Sequence, residues 1–178
     1  MSASDLSNSV ASRHPDRQSD LVNPAERREL VSKLTSEILA EVAPEEIGVF
    51  AANEQWYVDG VGTPPASLRD EQSGFGVELL PALLPFVIQA VQTAVGWIVE
   101  AASDQARRDI QSTVQSWIRR HLHHDDAASA TSTVLPPAAL REIHDQIVSV
   151  LLTMRADPTD AGVVSDAVVG RLAIERRE

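Results

Sequence analysis

Between Leu79 and Val99 the chain carries no charged residue, and Gln89, Gln92 and Thr93 are the only clearly polar side chains there. A run of about 20 apolar residues is long enough to span a bilayer as a helix. A helix that is apolar nearly all round is otherwise the buried centre of a bundle. Val87, Val91, Val95 and Ile98 fall on one helical face, with Gln89, Gln92, Gly96 and Glu100 near the opposite one. Pro81 and Pro85 fit only if regular helix starts near Pro85, or near Pro81 with a distorted first turn. Two prolines, two glutamines and a glycine favour the buried core, and neither end is closely flanked by Lys or Arg. Membrane insertion is the alternative, and an exposed apolar face that meets a partner helix or a second copy is a third reading.

The segments around this stretch read as amphipathic helices. Asn23-Pro24-Ala25-Glu26 supplies a cap, a proline for the first helical position and the acid of a capping box. Leu30, Val31, Leu34, Ile38, Leu39 and Val42 then recur at spacings of three and four, up to Pro44. Residues 44–76 read as an irregular acidic connector, with a short helix over Glu45–Ala52 and an extended piece at Gln55–Val58. After the charge-free stretch, Ile110, Val114, Trp117, Ile118 and Leu122 make another stripe. It is either continuous with the preceding helix or joined to it by a tight turn near Ala101–Asp104. Asp125–Pro137 is a loop. Pro137 opens a helix with Leu140, Ile143, Ile147, Leu151 and Met154 on one side, and Thr159–Arg176 forms the last, with Val164, Val168 and Leu172. No segment alternates as a strand does, and no internal repeat is visible. The expectation is an all-α bundle of four to five helices over residues 23–178, preceded by a disordered Ser-, Asp- and Asn-rich tail over residues 1–22.

Composition narrows the function classes. With 43% hydrophobic residues, a chain of 178 can bury a core, and with few aromatic residues that core must be aliphatic. There is no Cys, which removes disulfides, thiol nucleophiles and thiolate metal sites, and fits a reducing, cytoplasmic setting. A net charge of −11 opposes a phosphate backbone, so nucleic acid is not an expected partner. One Lys, Lys33, against fourteen Arg bears the mark of GC-rich bacterial coding.

Candidate chemistry is sparse. His121-Leu122-His123-His124-Asp125-Asp126 places imidazoles and carboxylates together, a pattern able to hold zinc or nickel. A histidine-rich helix end complementing the dipole is the plainer reading. His144 lies beside an apolar stripe as a packing residue. The pairs Arg107/Arg108 and Arg119/Arg120 alternate with Asp104 and Asp109 and read as a solvated face. There is no phosphate-binding loop, nucleophile elbow or His-Glu-x-x-His, and Gly74-Phe75-Gly76 reads as a turn. No cofactor, metal or catalytic residue is expected.

Gly74-Phe75-Gly76 leading into Leu79–Val99, and the terminal Ser165-Asp166-Ala167-Val168-Val169-Gly170-Arg171-Leu172-Ala173, resemble segments of small uncharacterised helical proteins encoded near conflict or defence systems in actinobacteria. The likeness runs from about Ala43 onward. It implies a non-enzymatic accessory or effector role and carries no catalytic residues over.

The expectation for function is a non-enzymatic interaction or assembly module that binds a protein partner or itself through apolar helix faces. Its anchors would be Val91, Val95, Trp97, Ile110, Val114, Trp117 and Ile118, because large buried aromatics dominate interface energetics. The alternative is a membrane-inserting effector that releases the 79–99 helix.

Overall fold

The computed structural model describes residues 23–58, 83–103, 108–122 and 134–173. They form six α-helices: α1 (Pro24–Val42), α2 (Ile47–Val58), α3 (Leu84–Ser103), α4 (Arg108–Leu122), α5 (Pro137–Thr153) and α6 (Pro158–Ala173). A single 3-10 turn, Pro44–Glu46, leads into α2. Among the described residues there is no strand. The bundle is all-α as expected, with one helix more than the four to five anticipated.

The extra helix is α2, which carries the short helix expected over Glu45–Ala52 on to Val58 and takes the place of the extended piece expected at Gln55–Val58. Phe50 and Tyr57 lie on either side of a break in α2, and both rings are turned into the core. Both are buried, with ring centroids 6.2 Å apart. That burial outweighs the strand preference of Trp56 and Tyr57. The ambiguity leaves a trace at Asn53, whose backbone (φ −131°, ψ 17°) breaks the helix, while its Nδ2 donates to the Val49 carbonyl at 3.0 Å. The rest of the expected connector and residues 1–22 lie outside the described residues.

All five other helices pack on α3. Leu84, Val87, Ile88, Ala90, Val91, Ala94, Val95, Trp97, Ile98, Ala101 and Ala102 are buried along it, and from Leu84 to Ala102 only Pro85 and Glu100 are exposed. Each large aliphatic side chain removed from water contributes about 1.5–3 kcal/mol, so this helix is the largest single source of core stability. Thr93 satisfies its own hydroxyl by donating to the Gln89 carbonyl at 2.8 Å. Regular helix begins at Leu84, which places Pro85 in the first turn, where its missing N–H costs nothing.

Helices α3 and α4 are separate and pack against each other, which settles the choice between a continuous rod and two helices. Gln111 and Gln115 of α4 both donate to the Ala102 carbonyl, at 2.9 and 3.3 Å, and so cover the open carboxyl end of α3. Helix α1 starts at the expected box: Asn23 Oδ1 accepts from Glu26 N at 2.9 Å, and Glu26 Oε2 accepts from Asn23 N at 3.0 Å. Helices α5 and α6 form a hairpin closed by its own backbone. Ala156 N donates to the Leu151 carbonyl and Arg155 N to the Leu152 carbonyl, both at 3.0 Å, with Arg155 left-handed at φ 65°. Arg171 Nε on α6 donates to Glu37 Oε2 on α1 at 2.7 Å, and this half-buried pair ties the hairpin to the first helix.

Candidate functional site

Six of the seven expected interface residues lie inside the bundle. Val91, Val95 and Val114 are fully buried, Trp97 and Trp117 are 2% exposed, and Ile118 is 5% exposed. Ile110 is half-buried against the same core. In this conformation they hold the helices together and offer no free face to a partner. The indole Nε1 of Trp117 is buried without a hydrogen-bond acceptor among the described residues, so this side chain serves by its bulk. Its ring stacks on His121, centroids 3.9 Å apart and planes 23° from parallel.

That stack defines what His121 does. Its Nδ1 lies 3.0 Å from the Trp117 carbonyl one turn back. Lys33 Nζ, reaching from α1, donates to the His121 carbonyl at 3.1 Å and so neutralises the negative end of α4. His123 and His124 lie outside the described residues. Among the described residues no group of three or more His, Asp or Glu side chains is close enough to hold a metal ion. His144, half-buried, sits between two carboxylates: Nδ1 is 3.2 Å from Asp145 and Nε2 is 3.4 Å from Asp166. Ser165 is next to it, yet its hydroxyl donates to the His144 carbonyl at 3.2 Å and not to the ring. The pair therefore lacks the nucleophile–base contact that acyl transfer needs. Of the arginines expected on a solvated face, Arg119 is exposed and Arg120 half-buried at the end of α4.

A cleft of about 1050 Å³ lies between α1 and α2. Arg28, Glu29, Ser32 and Lys33 line one wall, and Asn53 to Trp56 with Val58 line the other. The Asn53 break gives the second wall its shape. Residues on both sides of it line the cleft, from Ala51 to Trp56. Ser32 Oγ donates to Glu54 Oε1 from one wall to the other. Trp56 is half-buried, its ring edge-on to Tyr57 with centroids 4.8 Å apart. The cleft thus offers an indole, both signs of charge and several amide or hydroxyl groups.

Behind the cleft, the 3-10 turn supplies a contact that no sequence motif announces. Glu46, 7% exposed, points its carboxylate at the amino end of α3, where Leu83 N donates to Oε1 at 3.1 Å and Leu84 N to Oε2. A carboxylate at a helix amino terminus meets both unpaired N–H groups and the positive end of the dipole. Its charge is felt nearby, because the Tyr57 phenol is held above its ordinary pKa, first by burial and then by the Glu46 carboxylate. Glu46 read as one more acid of a polar connector, since nothing local marks a partner 37 residues away.

Among the described residues the exposed large apolar side chains are Val134, Leu152, Met154 and Val163. Scattered singly, such residues are ordinary surface. Among the described residues α3 alone is long and apolar enough to cross a membrane, and more than half of that stretch is buried inside the bundle. Comparison with protein-family models, with curated proteins and with solved structures finds no significant match to this chain.

Proposed function

We propose that this chain is a non-catalytic helical interaction module that receives a protein segment, from a partner or a second copy, in the cleft between α1 and α2. The observation that carries this reading is the makeup of the cleft, an indole in one wall among interleaved charges and amides. Interfaces concentrate energy in a few such aromatic anchors surrounded by polar groups that fix orientation. The expected anchors Trp97 and Trp117 are spent on the core, so Trp56 takes that role. Light scattering on the purified chain tests self-association. Capture from a lysate, with wild type and Trp56→Ala side by side, tests a foreign partner. An assembly or a captured protein lost in Trp56→Ala supports the reading, and a strict monomer that captures nothing overturns it.

A second reading, a membrane-active effector, is favoured by one observation: α3 has the length and composition of a membrane span. Its resting state would be the bundle, with the apolar helix covered until a trigger frees it. Dye release from anionic vesicles by the full chain, at neutral and acid pH, is the test. Vesicles that stay sealed under both conditions remove this reading.

A further inference from the structure

The contact between Glu46 and α3 has two dependent halves. Glu46 is buried, and among the described residues no basic side chain pairs with it. Its two oxygens accept from Leu83 N and Leu84 N at the positive end of the α3 dipole. The first turn of α3 depends on Glu46 in return. Pro85 brings no N–H, and the carboxylate takes the Leu83 and Leu84 amides on its amino side. Unwinding that turn strands a buried charge, and pulling Glu46 away strands two amides. Either half opened alone carries a desolvation penalty that opening both together avoids.

The segment bearing Glu46 is fastened at its far end as well. Phe50 and Tyr57 are buried in the common core, and Gln92 Nε2 of α3 donates to the Tyr57 carbonyl at 3.4 Å. The same segment forms one wall of the cleft, bridged to α1 by the bond from Ser32 to Glu54. One arm thus faces the cleft on one side and touches the amino end of the central helix on the other.

We propose that Pro44–Val58 and the first turn of α3 form a single cooperative opening unit locked by Glu46, so that a molecule seated in the α1–α2 cleft also holds the amino end of α3 in the bundle. The second part rests on the cleft reading of function; the first does not. Linkage supplies the mechanism, because a ligand that binds only the closed arm stabilises everything that opens with it.

Hydrogen exchange on the full chain across a urea series tests the unit. In wild type, the amides of α2 and those of Leu84, Val87 and Ile88 should share one opening free energy and one urea dependence. Both should lie below those of the α5–α6 hairpin. Phe50→Leu, which loosens the arm without touching Glu46, should speed both sets by the same factor, on the order of tenfold. Glu46→Gln, which keeps the shape and loses the charge, should speed both sets and separate their rates. Two distinct opening free energies in wild type overturn the proposal with no variant needed. So does Phe50→Leu if it speeds α2 and leaves Leu84, Val87 and Ile88 unchanged. If the sets move together while Trp56→Ala captures as much partner as wild type, the cleft reading fails and the opening unit stands.

Discussion

The amino ends of α1 and α6 and the carboxyl end of α5 are closed by near sequence neighbours, whereas both ends of α3 and the carboxyl end of α4 are closed by side chains of other elements. Asn23 and Glu26 cap α1 across three residues, and the α5 carboxyl end is finished by the backbone of Arg155 and Ala156. Asp157 Oδ1 accepts from Thr159 N at 2.8 Å to start α6. By contrast, α3 is capped by Glu46 at one end and by Gln111 and Gln115 at the other. The last carbonyls of α4 rely on Lys33, 88 residues away from His121. The caps of the outer helices need no other element in place. The central ones are completed only by assembly, since each cap arrives with the helix that packs on them.

The largest expected effect separates the centre from the rim. Val91→Asp places an unpaired carboxylate in the fully buried middle of α3 and should cost about 4 kcal/mol or more, enough to remove a cooperative urea transition. Val163→Asp, at a position 49% exposed on α6, should stay within about 0.5 kcal/mol of wild type. Tryptophan fluorescence against urea reads both. Overlapping curves for Val91→Asp and wild type would break the placement of α3 at the centre.

The same division decides what could be read in the sequence. The stripes of α1, α5 and α6, the Asn23 box and the Pro137 start follow from spacing and local chemistry, and the structure has them close to where those rules put them, except for Met154, which falls past the end of α5 and is exposed. The charge-free stretch was legible as a helix, and Pro85 located its start. What spacing could not supply was any contact across tens of residues. Glu46 read as connector and Lys33 as a lone base, and the cleft needs α1 and α2 side by side before it exists. Trp97 and Trp117 read as anchors because a large aromatic on a stripe looks the same from the sequence whether it faces a core or a partner. Gln55–Val58 read as extended because the partner of Tyr57, Phe50, lies beyond the Asn53 break.

A smaller effect sharpens the picture of the borrowed cap. The Tyr57 phenol is raised above its ordinary value of 10.0, by burial first and by Glu46 second. Unfolded chains release this proton near the ordinary value and the folded chain later. Over the interval between, the unfolded state holds fewer protons, and stability falls as pH rises. Below that interval the group contributes no pH dependence. The chain has one tyrosine, so phenolate absorbance reports Tyr57 alone. Wild type should lose stability relative to Tyr57→Phe as pH climbs past 10, and Glu46→Gln should bring the Tyr57 titration back toward its ordinary range. A titration that Glu46→Gln leaves unmoved would show that the carboxylate is not where its bonds to Leu83 and Leu84 place it.

On the locally closed side, Asn23→Ala removes one half of a capping box and should cost about 1 kcal/mol in urea unfolding. The loss belongs to the first turn of α1, so the exchange of α3 amides should not follow it. If Leu84 and Val87 exchange faster in Asn23→Ala, the caps are not independent and the contrast between the two kinds of helix end collapses.

The smallest expected effect has the opposite sign. The α5–α6 turn uses a left-handed residue where glycine is usual, and here that residue is Arg155 at φ 65°. A side chain in this region crowds its own backbone at a cost of roughly 1–2 kcal/mol. Glycine removes the crowding and returns part of the gain as backbone entropy in the unfolded chain. The Arg155 side chain is exposed, so its loss should take little packing away. Arg155→Gly should therefore stabilise the chain by about 0.5–1 kcal/mol, read as a rise in the urea midpoint at unchanged slope. The gain should appear in the exchange of α5 and α6 amides through global unfolding alone, because the turn bonds from Ala156 and Arg155 are kept. A loss of stability on this substitution would mean that the arginine makes a contact worth more than the strain it causes, and that this hairpin is not closed by its backbone alone.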